Sequence, residues 1–600
     1  MKLLSLKITD PAGFRSLHCG FVHYFRSELD LQAELDNSEG FAPFVCAGPN
    51  GSGKSNLLEA LAAIFFQLEV QRVRRNFLPD AFASDDNPNG IKDSDGTPNA
   101  FELEYLIMLP HGALPERERY AHVRVIKVSE TSPQMYWLNP ENFVTRSDGL
   151  ASDGLCSERE REFLLPEYVL GYSSGENEIL SLPFFKMRFV QFDEYWNCLK
   201  EQLPYLGRPE SRLAYLDSEF SQAILLCNLL LQDDDALQPF REDVGIEALL
   251  EFRIVIRRSI TASSDVATIF GSDHPALMTD NETGEFRINL MHLLEADSKS
   301  ADNFDPIVTR LKRCATCWYE DETTDTLVLD YWVNQEAREA FRENFDYAFY
   351  KSPLALFQAF QVLLTLNLYA VAEGLKEDVY RSGSHYVSET VPRLASDQRI
   401  MRFKFVRFIK QDVTEPMMLK GLSDGEHQLL HSLGMSLLFR NTNSLFLLDE
   451  PETHFNPDWR ANFISRLRRC LPDKANDNVG QEILITTHSP FLISDSKPDK
   501  VLVFEKDKST GEVRINPPHY NTLGASINKI TMSTFGKRET IGGRAQEVLD
   551  GLRGRFENGG EDKDALINEI HQKLGDSVEK VLLITAILDS YDPGNGGRKD

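Results

Sequence analysis

A short glycine-rich stretch has the residue types and spacing that bind a chain of phosphates. Residues 48–55 read GPNGSGKS, which fits the spacing G-x-x-x-x-G-K-[ST]. Glycines let backbone N–H groups approach phosphate oxygens, Lys54 can reach the β- and γ-phosphates, and the Ser55 hydroxyl can ligate Mg²⁺. We therefore predict that this loop binds ATP with Mg²⁺. The predicted nucleotide contacts in it are Gly48, Asn50, Gly51, Ser52, Gly53, Lys54, Ser55 and Asn56.

The residues on either side of the loop indicate how it is held. The apolar run 44–47 precedes it, and Leu57, Leu58 and Leu61 follow it at helical spacing. This order predicts a strand, the loop, and a helix over residues 55–76. The positive end of that helix would lie behind the phosphates.

Two carboxylates and a histidine follow later apolar runs. Asp449 and Glu450 end the run 444–448, and His488 comes just after the run 482–486. Short continuous apolar runs are typical of strands buried on both faces of a parallel sheet. Carboxylates at strand ends are common, so the acidic pair alone is a weak signal. When the acidic pair and the histidine follow a phosphate loop in this order, the combined signal is specific.

A serine-led turn, 422–426, opens a helical pattern before the acidic pair. Serine and glutamate also cap ordinary helices, so this turn is informative only together with the other motifs. A similar stretch, 172–176, lies far upstream. We assign the functional role to Ser423 and interpret the upstream copy either as a loop near the site or as a plain N-cap.

Composition indicates a globular chain of two or more domains in a reducing cytosol. The chain has 600 residues and a formal net charge of −28, which argues against a surface that is basic all over and coats DNA. Its 8 cysteines are too sparse for a disulfide scaffold. Cys314 and Cys317 form either a zinc half-site or, as we favour, ordinary thiols. No signal peptide and no run of about 18 apolar residues is found, so we expect a cytoplasmic location without membrane contact.

We divide the chain into four parts. Residues 1–139 hold the phosphate loop, 140–395 form a mainly helical insertion, 396–520 hold the acidic pair and His488, and 521–600 form a helical region with a disordered tail. The predicted elements are a hairpin at 2–9 and 21–25, strands at 101–109 and 119–129, an edge or outer strand at 401–410, and helices at 211–231, 306–319, 354–375, 538–553 and 562–588.

These motifs together resemble the ATP-binding cassette (ABC) ATPases, in the branch of the SMC, RecF and OLD proteins. The matching stretches are GPNGSGKS at 48–55, LSDGE at 422–426, LLDEPETHFNP at 447–457 and TTHSP at 486–490. Asp424 departs from the glycine of many members. The resemblance implies an α/β fold: an ABC-ATPase head with a mixed and parallel sheet and flanking helices, a helical insertion lobe, and a small C-terminal helical region.

The same resemblance implies an ATPase site shared by two copies, in a head-to-head dimer or a higher assembly. Ser423 and Gly425 of one copy would cap the ATP held by the other. The implied catalytic residues are Lys54, Glu450 and His488, and the implied Mg²⁺ ligands are Ser55 and Asp449. Arg15 is either a nucleotide contact or a surface charge, and Gln191 is a guess for the glutamine that this family places near the metal.

A closer resemblance is to the PtuA-type ATPases of Septu anti-phage systems, also found with some retrons. It implies an ATP-driven switch that controls an HNH-type nuclease on another polypeptide, with DNA or a retron RNA–DNA complex as a further partner. Asp562 and Asp564 form a D-x-D, which we interpret as a solvated helix start rather than a nuclease site.

The sequence is also compatible with two other functions. A DNA-repair ATPase of the RecF kind would bind DNA directly, and a structural sensor would bind ATP and barely hydrolyse it. The candidate DNA contacts are Arg402, Lys404, Arg407 and Lys410 in the predicted edge strand, and Arg466, Arg468 and Arg469 downstream. In that strand, Phe403 and Phe405 are predicted to share the face opposite Arg402 and Lys404.

Overall fold

The structure is a computed structural model of the chain. It describes residues 1–35, 42–73, 83, 87–109, 120–140, 154–175, 177–201, 212–262, 267–268, 270–271, 273–279, 283–295, 306–345, 353–382, 391, 394–471, 480–536 and 541–590. The chain separates into two compact units, Met1–Gly524 and Ala525–Asp600.

The described strands are β1 (Lys2–Ile8), β2 (Val22–Tyr24), β3 (Phe44–Ala47), β4 (Phe101–Met108), β5 (Tyr120–Lys127), β6 (Gln134–Trp137), β7 (Tyr168–Ser173), β8 (Leu213–Tyr215), β9 (Ile246–Arg257), β10 (Ser259–Ala262), β11 (Leu277–Thr279), β12 (Phe286–Asn289), β13 (Cys317–Asp321), β14 (Thr326–Trp332), β15 (Met401–Lys410), β16 (Met417–Met418), β17 (Ser444–Asp449), β18 (Glu482–Thr487), β19 (Val501–Lys506) and β20 (Val513–Asn516).

The described α-helices are α1 (Glu28–Leu35), α2 (Lys54–Val73), α3 (Glu158–Leu164), α4 (Glu178–Lys200), α5 (Ser221–Leu231), α6 (Gln238–Val244), α7 (Leu290–Leu294), α8 (Ile307–Cys314), α9 (Gln335–Phe345), α10 (Pro353–Thr365), α11 (Glu373–Arg381), α12 (Asp424–Leu438), α13 (Pro457–Arg469), α14 (Pro490–Ser494), α15 (Ile527–Thr534), α16 (Gly543–Asn558), α17 (Lys563–Lys573) and α18 (Val578–Asp589).

A seven-stranded sheet forms the centre of the first unit. Its order is β20-β19-β3-β18-β17-β7-β8, and all neighbouring pairs are parallel except β19 with β20. β3, β17 and β18 are buried along their whole length, as their continuous apolar sequences predict. The predicted α/β fold with a mixed, mostly parallel sheet is therefore confirmed.

The register of this sheet aligns residues that are far apart in sequence. Ala47 at the end of β3 pairs with Thr487 of β18, and Thr486 pairs with Asp449 of β17. Asp449 in turn pairs with Ser173 of β7. Because parallel strands end at the same edge, the phosphate loop, the acidic pair and His488 leave the sheet side by side.

An antiparallel sheet, β2-β1-β4-β5-β6, contains the N-terminal strands. β1 pairs with β2, which confirms the predicted hairpin, and β4 and β5 lie where strands were predicted at 101–109 and 119–129. In β5, buried and less buried residues alternate with the period of two that is expected for a strand with one covered face.

The segment 140–395 contributes strands that the sequence analysis missed. β7 and β8 belong to the central sheet, and β9, β13 and β14 form a second sheet with β15 and β16. The predicted helix at 211–231 therefore starts with a strand, and the one at 306–319 ends in β13. Their helical periodicity was misleading because pairing with a distant strand overrides local preference.

β15 lies next to the edge of its sheet, between β9 and the two-residue β16, which fits an outer strand rather than an edge strand. Its register with β9 shifts between Lys404 and Arg407, and Phe405 has a φ of 51° and is 45% exposed. This β-bulge breaks the alternation, so Phe405 is exposed whereas Phe403 is half-buried, and the two do not share one face as predicted.

The segment Pro353–Ala370, which contains α10, is long and apolar enough to cross a membrane by composition, with a mean hydropathy of 1.3. However, 72% of it is buried inside the fold. It is therefore accounted for as a core helix of the first unit.

The second unit has a helical core of its own. Leu549 and Leu552 of α16, Ile570 of α17 and Ile587 of α18 are buried together. The single helix predicted at 562–588 is two helices, because the chain breaks after α17 and Ser577 caps α18. The predicted disordered tail lies outside the described residues.

A buried ion-pair network joins the N-terminal sheet to the central sheet. The Arg26 side chain is 2% exposed and donates to Glu482 of β18 at 2.8 Å and to Glu34 of α1 at 2.9 Å. It also donates to the Leu3 carbonyl of β1 at 2.6 Å. One guanidinium therefore holds elements from both sheets.

We predict that Arg26→Met lowers the free energy of unfolding by about 3–5 kcal/mol, because the buried carboxylate of Glu482 loses its ion pair with Arg26. Urea denaturation at a constant m value measures this change. The control is Arg514→Met, since the pair of Arg514 with Glu512 is exposed and its loss should cost less than about 1 kcal/mol. Equal effects of the two substitutions would contradict the role assigned to Arg26.

Candidate functional site

The phosphate loop joins β3 to α2, and its three glycines have backbone conformations that other residues rarely adopt; Gly53 has a φ of 99°. Gly48 has a φ of 147°, and a Cβ there would lie 2.5 Å from the Phe504 carbonyl oxygen. Gly51 has a φ of 73° and borders open space. α2 begins at Lys54, which leaves the first N–H groups of the helix available to an anion.

Lys54 is folded back over the loop. Its Nζ donates to the carbonyls of Gly48 and Pro49 at 3.1 and 3.2 Å, and lies 3.0 Å from Nε2 of His488. Burial lowers the pKa of Lys54, and the nearby acidic pair opposes that effect. Because neutral carbonyls are weak partners for a buried ammonium, a phosphate oxygen would be a stronger one.

Asp449 accepts hydrogen bonds from three separate elements. Its Oδ1 accepts from the hydroxyls of Ser55 at 2.8 Å and Thr486 at 2.6 Å, and its Oδ2 accepts from the Asn177 amide at 2.9 Å. Asp449 is 7% exposed. The facing Ser55 hydroxyl and Asp449 carboxylate are hard oxygen ligands, so this pair fits Mg²⁺.

Glu450 is presented differently from its buried neighbour Asp449. It has a φ of 49°, its N–H donates to the Thr486 hydroxyl at 3.1 Å, and its side chain is 40% exposed. A hydrogen bond from His488 holds the pKa of Glu450 below its ordinary value. The carboxylate is therefore ionised at neutral pH and accessible to a water molecule.

Nε2 of His488 lies between two groups with opposite requirements. It is 3.0 Å from the Lys54 ammonium and 3.2 Å from Oε1 of Glu450. One ring nitrogen can accept from the ammonium or donate to the carboxylate, but it cannot do both at once. An anion that drew Lys54 away would free Nε2 to donate to Glu450 or to the anion itself.

The serine-led turn begins α12 and is exposed at Ser423. The Ser423 hydroxyl accepts from the Glu426 N–H, while the Glu426 carboxylate accepts from the Ser423 N–H at 2.7 Å. A Cβ at Gly425 would lie 2.8 Å from the His454 carbonyl oxygen, so the turn packs against the segment after the acidic pair. Contact of this turn with a second copy stays a prediction.

Arg15 lies against α2. Its Nε is 3.6 Å from Oε2 of Glu59, which also accepts from the Asn56 amide at 3.1 Å. The Asn56 amide oxygen in turn accepts from the Ser16 hydroxyl at 2.6 Å. Burial raises the pKa of Glu59 to about 7. Two predicted nucleotide contacts, Arg15 and Asn56, thus both contact Glu59, a buried acid that the sequence analysis missed. Their contact with nucleotide stays a prediction.

The upstream copy of the serine turn is a loop near the site, one of its two interpretations. It follows β7, and Asn177 just beyond it donates to Asp449 and caps α4. The guess of Gln191 is wrong, because Gln191 lies 14 residues further along α4, about 20 Å from Asn177 at 1.5 Å per residue. The apolar run 168–172 is the sequence signal that could have revealed β7 and the loop that follows it.

A second buried acid lies behind the acidic pair. Glu452 is 4% exposed, and its Oε1 accepts from the hydroxyl of Thr487, the residue before His488. In the described part of the chain its Oε2 has no hydrogen-bond partner. Burial raises the pKa of Glu452 to about 7.

The basic clusters considered for DNA binding are partly neutralised. The ion pairs are Arg407 with Glu251, Lys410 with Glu426, Arg466 with Asp243, and Arg469 with Glu242. Arg466 is also buried. These pairs reduce the positive charge that either surface offers to a phosphate backbone.

The other candidate metal groups lie apart. Cys314 is buried and donates to the Ala340 carbonyl, while Cys317 is exposed. Asp562 is the N-cap of α17, where it accepts from the Asp564 N–H. Among the residues that the structure describes, no group of three or more His, Cys, Asp or Glu side chains could hold a metal ion.

Comparison with known families identifies an AAA-type ATPase domain in the chain. Residues 326–494 match the family described as "AAA domain, putative AbiEii toxin, Type IV TA system". This range contains the serine-led turn, the acidic pair and His488. No protein of curated function matches the sequence.

Two solved structures of SMC heads are similar over most of their length. One, an SMC head bound to the C-terminal winged-helix domain of ScpA, is 10% identical, with 86% of this chain and 96% of that chain covered and a TM-score of 0.31. The other, an SMC head with an extended coiled coil bound to the C-terminal domain of ScpA from Pyrococcus furiosus, is 12% identical, with 92% and 99% covered and a TM-score of 0.29.

The raised pKa of Glu452 generates a prediction about stability and pH. The folded chain holds a proton on Glu452 up to about pH 7, whereas the unfolded chain loses it near pH 4.5. The wild-type protein should therefore lose stability relative to Glu452→Gln as pH rises from 5 to 8, by about 2–3 kcal/mol.

Urea denaturation of both nucleotide-free proteins at pH 5 and pH 8 measures this difference. The matched control is Glu512→Gln, whose side chain is 37% exposed, and its stability relative to the wild type should stay nearly constant over the same range. A constant difference for Glu452→Gln as well would show that Glu452 is ionised in the folded chain.

Proposed function

We propose that this chain is a Mg²⁺-dependent, ABC-type ATP-hydrolysing switch subunit. The observation that carries the proposal is the 2.8 Å hydrogen bond from Ser55 to Asp449, which lie 394 residues apart in sequence. It places the hydroxyl of the phosphate loop against the first carboxylate of the acidic pair. Lys54, Glu450 and His488 surround this contact.

Each side chain has a distinct role in the proposed reaction. Lys54 leaves the loop carbonyls and binds the phosphates, stabilising charge on the transferred phosphoryl group. Glu450, ionised and half exposed, orients or deprotonates the attacking water. His488 passes from Lys54 to the γ-phosphate and so senses its presence. Ser55 and Asp449 would hold Mg²⁺, which would neutralise negative charge on the phosphates.

A second copy completes the proposed site. Ser423 is exposed at the positive end of α12, which suits contact with a phosphate on another chain. Gly425 ties this turn to the segment that follows the acidic pair. ATP binding and dimerisation are then coupled, which is what a switch requires.

The switch acts on a protein partner in this proposal. We infer a cytoplasmic anti-phage defence complex of the Septu or retron type, in which a separate HNH-type nuclease is restrained or released by the nucleotide state. The net charge of −28 and the paired arginines support a protein partner over direct DNA binding by this chain. The toxin named in the matching family description is consistent with a role in defence.

We predict that Glu450→Gln lowers ATP turnover by about 10²–10⁴-fold and traps an ATP-bound dimer, because the water is no longer activated.

Lys54→Ala should abolish nucleotide binding, while Lys506→Ala, at an exposed lysine, is the matched control. Adding Ser423→Arg to Glu450→Gln should prevent the dimer but leave ATP bound. Phosphate release and light scattering measure these outcomes, and normal turnover by Glu450→Gln would overturn the catalytic assignment.

The partner is tested by co-expressing the tagged chain with its neighbouring genes. We expect a nuclease subunit to co-purify and its activity to depend on the nucleotide bound by this chain. The Lys54→Ala variant in the same complex is the control, since its nuclease should not respond to ATP. Neighbouring genes without a nuclease, or a nuclease indifferent to ATP in the wild-type complex, would contradict the switch role.

A further inference from the structure

A cavity of about 270 Å³ lies along α2, beside the nucleotide site. Its walls come from α2, from the first turns of α4, from residues 91–97 before β4, and from residues 380–382 at the end of α11. Its size is slightly below the range of about 300–1,000 Å³ that is typical of ligand pockets. The cavity therefore suits a small molecule.

One side of the cavity is apolar. Ala63, Phe66 and Val70 line it from successive turns of α2, and Ile179 and Leu182 line it from α4. These side chains offer an aromatic ring and branched aliphatic groups to a ligand. Burial of an apolar body against them would be favourable.

The other side carries an excess of positive charge. Arg15, Lys92, Lys186 and Arg381 line the cavity, against Glu59 and Asp95. Asp95 already accepts from the Lys92 N–H at 2.8 Å. A buried Glu59 is partly protonated at neutral pH, since its pKa is raised to about 7 by burial.

Among these cations, Lys186 gives the strongest reason to expect an anionic ligand. Its Nζ donates to the Ser382 carbonyl at 2.5 Å and lies 5.8 Å from the centre of the Phe66 ring. In the described part of the chain it forms no ion pair. Burial, with a smaller effect of Arg15, lowers the pKa of Lys186 to about 8. The ammonium is thus partly desolvated and held by neutral groups, a situation that an anionic ligand would improve.

We propose that this cavity is a second ligand site, which takes a small organic anion. The anionic head, a phosphate, sulfonate or carboxylate, pairs with Lys186 and Arg15. The aromatic or aliphatic body lies against Phe66, Ala63 and Leu182. This binding does not require the proposed ATPase function.

The cavity is also connected to the phosphate loop. Arg15 and Glu59 belong both to its wall and to the hydrogen-bonded chain that reaches Asn56 in the first turns of α2. A ligand that draws Arg15 away from Glu59 would change the contacts of that chain. Any effect of the ligand on ATP affinity rests on the proposed function, whereas ligand binding itself does not.

The test uses the aromatic sulfonate 8-anilino-1-naphthalenesulfonate, titrated into the full-length chain and followed by fluorescence. We expect one saturable site. Ala63→Phe should fill the cavity and Lys186→Met should remove the cation, and each should weaken binding about tenfold or more. Lys54→Ala should bind the probe like the wild type, which separates this site from the phosphate loop.

A neutral probe tests the chemical class of the ligand. N-phenyl-1-naphthylamine has the same aromatic body without the sulfonate and should bind at least about tenfold more weakly. Thermal melts confirm that the variants fold; Lys186→Gln replaces Lys186→Met, and Ala63→Leu replaces Ala63→Phe, where the first choice does not. The proposal is overturned by the absence of a saturable site, by wild-type affinity in the Ala63 and Lys186 variants, or by equal affinity for the two probes.

Discussion

The parallel register of β3, β18, β17 and β7 is the constraint on which the site depends. It stacks the ends of four strands so that Asp449 is reached from the phosphate loop, from β18 and from the loop after β7. The carboxylate is buried, and the groups that donate hydrogen bonds to it are hydroxyls and an amide. A shift of one strand by one residue would turn the Asp449 side chain to the opposite face of the sheet, and its hydrogen bonds at the site would be lost.

Around that fixed carboxylate, the remaining charges lack settled partners. Lys54 rests on carbonyl oxygens, and His488 faces both an ammonium and a carboxylate. These contacts hold the two side chains in the absence of a ligand, and an anionic ligand would give Lys54 a stronger partner. The structure therefore combines a fixed Ser55–Asp449 contact with neighbours that can change partners, which is the arrangement that the proposed nucleotide-dependent switch would need.

The parts predicted from sequence are those fixed by local pattern. The strand-loop-helix around Lys54 and the buried runs of β17 and β18 follow from periodicity and composition. Asn177 was missed because its contact with Asp449 depends on which strand β7 pairs with, a choice made across 270 or so residues of chain. The bulge at Phe405 was missed for the same reason, since the shift exists only relative to β9.

The order of strands in the central sheet has a consequence for biosynthesis. β3 lies between β18 and β19, both of which come more than 400 residues later in the chain. At about 5–20 residues per second, the ribosome needs roughly 20–80 s to translate the 394 residues from Ser55 to Asp449. During that interval the apolar β3 of the nascent polypeptide has neither of its neighbours, so its pairing in the sheet waits until β18 and β19 have been translated.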